Sequence, residues 1–260
     1  MSVDVVVPGV GDARRRLLVA ASVSLVGVVA LSAVVSTDPL RWATATASGT
    51  TLLFAYAIVR WPSEADDTNA GDGIGVANGV TLCRGLLVCA VGGFALGRPP
   101  WAWVPAVAFA VAVGLDAVDG AVARRTRETA LGRRLDETVD GLSVALGSTA
   151  AVAFGGLPTW FLLAGAGWVA FAGARYGRRL RGEPIEPLGP SRLRGPIGAA
   201  VMAVLAAALT PVAPQPWVTA VAAAVLAALT WSLCRDWAVL TGRWPRSRSE
   251  SPRVESDVSD

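Results

Sequence analysis

Four aspartates lie close together in the middle of the chain, where two mostly apolar segments meet a short basic turn. Asp116 and Asp119 are three residues apart, and Asp136 and Asp140 are four apart. On an α-helix, each of these spacings puts both carboxylates on one face. A lone carboxylate is costly in such apolar surroundings. Two helical carboxylate pairs joined by a turn can converge on one or two divalent metal ions, so the pattern predicts a chemical site.

The composition of the chain restricts which metal could bind there. The sequence contains no His, and the spacing of its three cysteines fits neither a zinc site nor a disulfide framework. The ligands of a metal would therefore be oxygen atoms. Oxygen ligands favour Mg²⁺ or Mn²⁺ over zinc or copper.

The segments that carry the aspartates are expected to be membrane helices. Of the 260 residues, 53% are hydrophobic and 17% are charged, which is typical of a protein with several membrane spans. Eight apolar segments are candidates for crossing the roughly 30 Å hydrocarbon core. They lie at 17–36, 43–60, 79–97, 101–119, 137–155, 158–174, 196–212 and 216–234. We expect an all-α integral membrane protein that has the lipid bilayer, and no nucleic acid, as a partner.

The arginines predict the orientation of the chain in the membrane. All 23 basic residues are Arg, and with eight spans and both termini in the cytoplasm only Arg41 and Arg98 fall outside. Cytoplasmic loops are normally the ones rich in Lys and Arg. The sequence therefore predicts a multi-pass protein of the cytoplasmic membrane, with the aspartates on its cytoplasmic side.

The aspartate segment resembles the signature of the CDP-alcohol phosphotransferase family: D-x-x-D-G-x-x-A-R, eight residues, then G-x-x-x-D-x-x-x-D. The chain matches it at Asp116, Asp119, Gly120, Ala123, Arg124, Gly132, Asp136 and Asp140. Seven residues, not eight, join the two halves, so the turn between Thr126 and Thr129 is one residue short. A second family pattern, N-x-x-T-L-x-R, is matched by Asn78, Thr81 and Arg84.

This resemblance implies a six-helix membrane enzyme that moves a substituted phosphate from a CDP-linked donor to an alcohol hydroxyl and releases CMP. The expected donor is CDP-diacylglycerol, in phospholipid biosynthesis. The four aspartates would hold two Mg²⁺ or Mn²⁺ ions, since a metal pair can clamp a phosphoryl centre, and Asp140 would also be the general base. The expected CDP-binding residues are Gly120, Ala123, Arg124, Gly132, Asn78, Thr81 and Arg84.

The predicted organisation of the chain follows from the extent of the resemblance. It consists of a cytoplasmic tail at 1–16, a pair of transmembrane helices at 17–61, an acidic linker at 62–78, a catalytic six-helix membrane domain at 79–240 and a disordered cytoplasmic tail at 241–260. The helix pair lies outside the resemblance. One hypothesis is that it contributes to a homodimer interface.

The identity of the acceptor alcohol is less constrained. Residues 175–194 carry six arginines against two glutamates, Glu183 and Glu186. Arg192 and Arg194 lie at the start of an expected helix, where charge-assisted contacts and the helix N-terminus favour a phosphate. We expect them to bind a phosphorylated acceptor, glycerol 3-phosphate or inositol 1-phosphate, while serine and a second lipid stay open as acceptors. Positive-inside topology alone is the alternative explanation of these arginines.

Other interpretations stay open at the level of sequence. Aspartates inside a membrane also form ion sites in secondary transporters. The short turn would fit a family member that has lost catalysis and has a structural or partner-binding role. Arg84 alone is also typical of a side chain that snorkels from a helix end to the membrane surface.

Overall fold

The computed structural model describes residues 10–64, 76–123, 130–186, 188, 191, 193–212 and 215–243. For a few of these, including 117–123, it describes the backbone alone. The described residues form eight α-helices and no strand. The expected all-α fold, with two helices ahead of a six-helix core, is confirmed.

The helices follow one another with short connections. They are α1 (Val10–Val35), α2 (Pro39–Glu64), α3 (Val76–Gly93), α4 (Val104–Ala123), α5 (Ala130–Ala153), α6 (Leu162–Leu180), α7 (Arg194–Ala208) and α8 (Gln215–Leu240). A short 3₁₀ helix, Thr159–Phe161, leads into α6.

Among the described residues, three helices contain segments that are long and apolar enough to cross a membrane: Arg14–Val35, Pro39–Val59 and Pro216–Leu240. Shorter apolar helices cover Asn78–Gly93, Val104–Asp116 and Arg194–Ala208. On α1, the large side chains of Val23, Val26 and Val29 are mostly exposed. Exposed apolar faces of this kind suit a lipid environment. A helix can lie in lipid because its backbone N–H and C=O groups are hydrogen-bonded within the helix.

Several helices extend beyond the apolar segments from which they were predicted. Helix α5 begins six residues before Asp136, and α6 continues to Leu180. Arg, Leu and Glu are good helix formers, so polar turns can prolong a helix past its apolar part. The predicted linker at 62–78 is helical at both ends, and its middle, 65–75, lies outside the described residues.

The two ends of the bundle differ in character. At the end that we call the site end, α3, α5 and α7 begin and α4, α6 and α8 end. The opposite half is an apolar core in which Phe109, Phe161 and Leu205 are completely buried. Small residues allow close packing there: a Cβ on Gly165 of α6 would lie only 2.6 Å from the Cα of Ala145 on α5.

Helix α5 is central to the bundle and packs against α2, α3, α6 and α7. Helix α4 packs against α3 and α7. Helices α4 and α5 also meet directly, since a Cβ on Gly147 of α5 would lie 2.9 Å from Cε2 of Phe109 on α4. The relative position of these two helices depends in part on how α3 is held.

Candidate functional site

Three of the four motif aspartates come together near the site end of the bundle. Asp116 is about two turns from the end of α4, and Asp136 and Asp140 follow each other by one turn on α5. One carboxylate oxygen from each of the three lies within 4.8 Å of the other two. The four-residue spacing puts the carboxylates of Asp136 and Asp140 on one face of α5, and the carboxylate of Asp116 from α4 lies beside them.

Arg84 of α3 contacts all three carboxylates. Its Nη1 donates a hydrogen bond to Asp116 Oδ1, and its Nη2 donates to Asp136 Oδ1 at 2.7 Å and to Asp140 Oδ1 at 2.8 Å. Its side chain is only 2% exposed, whereas the three aspartates are about half exposed. The snorkelling interpretation of Arg84 is therefore wrong, because its guanidinium points into the bundle.

The charges of this cluster do not balance. One guanidinium faces three carboxylates, which leaves two net negative charges when all three are ionised. The Nε of Arg84 is buried and has no hydrogen-bond partner among the described residues, and such an unpaired donor costs about 1–3 kcal/mol. Half-exposed carboxylate oxygens with excess negative charge suit a divalent ion such as Mg²⁺ or Mn²⁺. The donor set thus fits the metal that the composition favours.

Two further polar residues share a face of α3 with Arg84. Asn78 and Thr81 precede it at intervals of three residues, which keeps all three on one side of the helix. Both are buried. The second family pattern therefore corresponds to a buried polar strip that ends at the carboxylates.

Some predicted residues are placed only in part. The structure describes only the backbone of α4 at Asp119, Gly120 and Ala123. Gly132 is half-buried in the first turn of α5. Arg124, Arg192 and the shortened turn at 124–129 lie outside the described residues.

The arginines at the end of α6 have acidic partners. Arg175 donates to Glu137 of α5, with Nη1 2.6 Å from Oε1. Arg178 and Arg181 both pair with Glu183, at 2.7 and 2.5 Å. The hydrogen bond from Arg181 lowers the pKa of the Glu183 carboxyl below its ordinary value. Part of the excess positive charge counted in the sequence is therefore compensated, with two carboxylates paired to three of these arginines.

Arg194, the first residue of α7, pairs with Asp236 of α8. Its Nε lies 3.0 Å from Oδ2 and its Nη2 lies 3.2 Å from Oδ1. The Asp236 side chain is only 9% exposed, and the neighbouring Arg235 donates to Ser191 Oγ at 3.2 Å. Asp236 was not predicted as a partner of Arg194. The available signal was an acid within an otherwise apolar helix, since such a residue usually has a partner.

The fold and the site together define a helical membrane protein with an acidic, metal-compatible centre shared by three helices. A family model for CDP-alcohol phosphatidyltransferases matches residues 74–239. The chain therefore belongs to the CDP-alcohol phosphatidyltransferase family, as its motif predicted. The match covers α3 to α8 and excludes α1 and α2.

Comparisons with curated proteins and with solved structures give no match. Membership of the family implies a transferase that takes a substituted phosphate from a CDP-alcohol donor to an alcohol acceptor. The family is generally metal-dependent, and the Asp116, Asp136 and Asp140 cluster could hold a metal ion.

Proposed function

We propose that this protein transfers the phosphatidyl group of CDP-diacylglycerol to an alcohol hydroxyl and releases CMP, in phospholipid biosynthesis. The observation that carries the proposal is the convergence of Asp116, Asp136 and Asp140 around Arg84, in a chain of this family. A phosphoryl-transfer site needs concentrated oxygen ligands for a metal and a fixed cation for phosphate, and these residues provide both.

The proposed metal ligands are Asp116, Asp119, Asp136 and Asp140, which would hold two Mg²⁺ or Mn²⁺ ions. Such ions neutralise charge on the phosphoryl oxygens and on the leaving group. The net negative charge left after pairing with Arg84 supports this assignment, and so does the 4.8 Å spread of the three described ligand atoms.

Donor binding would use groups on α3, on the end of α4 and on the start of α5. The buried Nε of Arg84, which has no partner among the described residues, can donate to a phosphate oxygen of the donor. The small residues leave room for the nucleotide close to the backbone. The proposed CDP-binding set is Asn78, Thr81, Arg84, Gly120, Ala123, Arg124 and Gly132.

In the proposed reaction, the acceptor hydroxyl oxygen forms a bond to the phosphorus that carries the diacylglycerol group. The bond between that phosphorus and the bridging oxygen breaks, and CMP leaves with the bonding electron pair. Asp140 would accept the hydroxyl proton. Arg84 contacts its Oδ1 at 2.8 Å, and Oδ2 of this half-exposed side chain is then the oxygen that takes the proton.

For the acceptor, we propose a phosphorylated polyol, glycerol 3-phosphate or inositol 1-phosphate, bound by Arg192 and Arg194. The general excess of arginine is weak support for phosphate binding, because Arg175, Arg178 and Arg181 have carboxylate partners. The support comes from Arg194. Arg194 uses its Nε and Nη2 for Asp236. That leaves the Nη1 side of a partly exposed guanidinium for a second oxyanion, the geometry in which Arg binds phosphate well.

We also propose that residues 79–240 form the catalytic domain and that both termini lie in the cytoplasm. The same proposal includes cytoplasmic tails at 1–16 and 241–260, a linker at 62–78 and a homodimer interface at 17–61. The arginine distribution supports the orientation.

The test is CMP release by the purified full-length protein in detergent, with CDP-diacylglycerol, Mg²⁺ or Mn²⁺ and a panel of acceptors. Mass spectrometry of the lipid product identifies the acceptor used. Glu137→Gln is a matched control for Asp136→Asn, because it neutralises the adjacent carboxylate outside the cluster. Ion flux in proteoliposomes without CMP release would favour a transporter instead, and neither activity would indicate a family member that has lost catalysis.

A further inference from the structure

Helix α2, the second helix of the hairpin formed by α1 and α2, packs against α3. At the end of the bundle opposite the site end, the Thr37 amide donates to the Arg98 carbonyl at 2.8 Å. In the middle, Trp42 Nε1 donates to the Ala90 carbonyl at 3.1 Å, and a Cβ on Gly93 would collide with Thr46 Oγ1. The hairpin lies outside the family match, yet its second helix is in close contact with α3.

Near the site, Leu53 of α2 is held between two helices of the core. It is 1% exposed and belongs to a buried cluster with Leu82 of α3 and with Leu135 and Val139 of α5. A Cβ added to Gly85 would lie 2.5 Å from Leu53 Cδ2 and 3.2 Å from Val139 Cγ2. Leu53 therefore fills the space at the contact between α3 and α5.

The residues that Leu53 touches are the sequence neighbours of the site residues. Gly85 follows Arg84 on α3, and Val139 precedes Asp140 on α5. Asp116 lies on α4, which packs against α3 and also meets α5 directly at the opposite half of the bundle, where a Cβ on Gly147 would lie 2.9 Å from Phe109 Cε2. Near the site, Arg84 of α3 contacts all three carboxylates. The separation between Asp116 and the α5 carboxylates thus depends in part on how α3 sits against α5, and Leu53 occupies that contact.

We propose that Leu53 is a positioning residue for the metal site, and that the N-terminal hairpin is a working part of the catalytic unit. Leu53 seats α3 on α5 so that Arg84 reaches Asp136 and Asp140, and so that Asp116 is held at ligand distance from them. The inference rests on the metal site described under the proposed function. It assigns to α2 a task that the family pattern does not contain.

The test compares Leu53→Ala with Leu52→Ala in the full-length protein. Leu52 is the adjacent residue of the same type and is 72% exposed, so it controls for the loss of a leucine from α2. Mn²⁺ binding is measured by electron paramagnetic resonance well below the unfolding temperature, and Asp136→Asn identifies the signal of the site. We expect Leu53→Ala to weaken Mn²⁺ affinity about tenfold, as outer-shell changes do, while Leu52→Ala keeps wild-type affinity.

A second pair of variants tests the contact itself. Gly85→Ala should also weaken Mn²⁺ binding, because its methyl group meets Leu53. Leu53→Ala removes the atoms with which the new methyl group collides. The double variant should therefore lose less Mn²⁺ affinity than the sum of the losses in the two single variants. Where Leu53→Ala does not yield folded protein, Leu53→Val gives a smaller truncation for the same measurement.

The outcomes separate this inference from the proposal on which it rests. A purely structural role of Leu53 would lower the unfolding temperature and leave the Mn²⁺ affinity of the folded protein unchanged, which would overturn the inference alone. Additive effects of Leu53→Ala and Gly85→Ala would overturn it too. If the wild-type protein binds no Mn²⁺, the metal site fails and the inference fails with it.

Discussion

Two of the arginine–carboxylate groups near the site end of the bundle differ in their balance of charge. Around Arg84, one buried guanidinium serves three half-exposed carboxylates. At Arg194 and Asp236, one guanidinium serves one carboxylate through two hydrogen bonds. The first group carries excess negative charge, and the second is neutral.

This difference decides which group could hold a metal ion. A one-to-one pair gains little from a further cation, whereas three carboxylates with one cation gain stability from an added positive charge. Arg84 contacts all three carboxylates, and the surplus negative charge of the cluster would favour a divalent metal ion. The following predictions test that contrast, beginning with the largest expected effect.

The largest effect is expected at the carboxylates of the Arg84 cluster. Asp116→Asn or Asp136→Asn should abolish CMP release while the protein stays folded, because each removes a charged ligand oxygen. EDTA should abolish activity in the wild-type protein, and Mg²⁺ or Mn²⁺ should restore it. Full activity in the chelator would contradict the metal site.

Asp140 is predicted to act mainly in the chemical step. Asp140→Asn should lower turnover roughly 10²- to 10⁴-fold, the range for a general base, and should retain affinity for CDP-diacylglycerol. Turnover is measured as CMP release and donor binding by isothermal titration. If donor and Mn²⁺ binding are lost together with turnover, Asp140 is chiefly a ligand and the base lies elsewhere.

Arg84 is predicted to stabilise the metal-free protein. Arg84→Gln leaves three carboxylates without their counter-charge, so the free energy of unfolding should fall by about 1–3 kcal/mol. The half-exposed carboxylates favour the lower part of that range. Thermal unfolding with and without Mn²⁺ checks this: Mn²⁺ should raise Tm more in the variant than in the wild type. Equal rises would show that Arg84 is not the counter-charge of the cluster.

A smaller effect is expected at Asp236. Asp236→Asn frees the Arg194 fork, so the KM of a phosphorylated acceptor should rise several-fold, with little change in the KM of the donor. Initial rates at varied acceptor and donor concentrations provide both values. Arg194→Gln should raise the acceptor KM further, and an unchanged acceptor KM in both variants would make the pair purely structural.

The smallest effect is expected at Glu137, which is adjacent to Asp136 but pairs with Arg175. Exposed ion pairs contribute about 0.2–1 kcal/mol, so Glu137→Gln should shift Tm slightly and leave CMP release at the wild-type level. A strong loss of activity in this variant would remove the distinction between the cluster and the one-to-one pairs.

Much of the site could be predicted because its parts are local patterns. The spacing of Asp136 and Asp140 predicts a shared helix face, and the structure has both carboxylates within reach of Arg84. The helix limits were less accurate at α5 and α6, because apolar content locates the membrane part of a helix and says little about its polar ends. The partners of Arg194 and Arg175 were not predicted.

The sequence by itself determined the membrane class, the family and the helical arrangement of the aspartates, because composition, periodicity and motif spacing are properties of neighbouring residues. Only the tertiary structure decided that Arg84 faces Asp116, Asp136 and Asp140, which are 32, 52 and 56 residues away. It also decided that Leu53 of the hairpin lies against the site. Such contacts depend on which helices become neighbours and on how far they are shifted along their axes relative to one another. The packing of the whole bundle decides both.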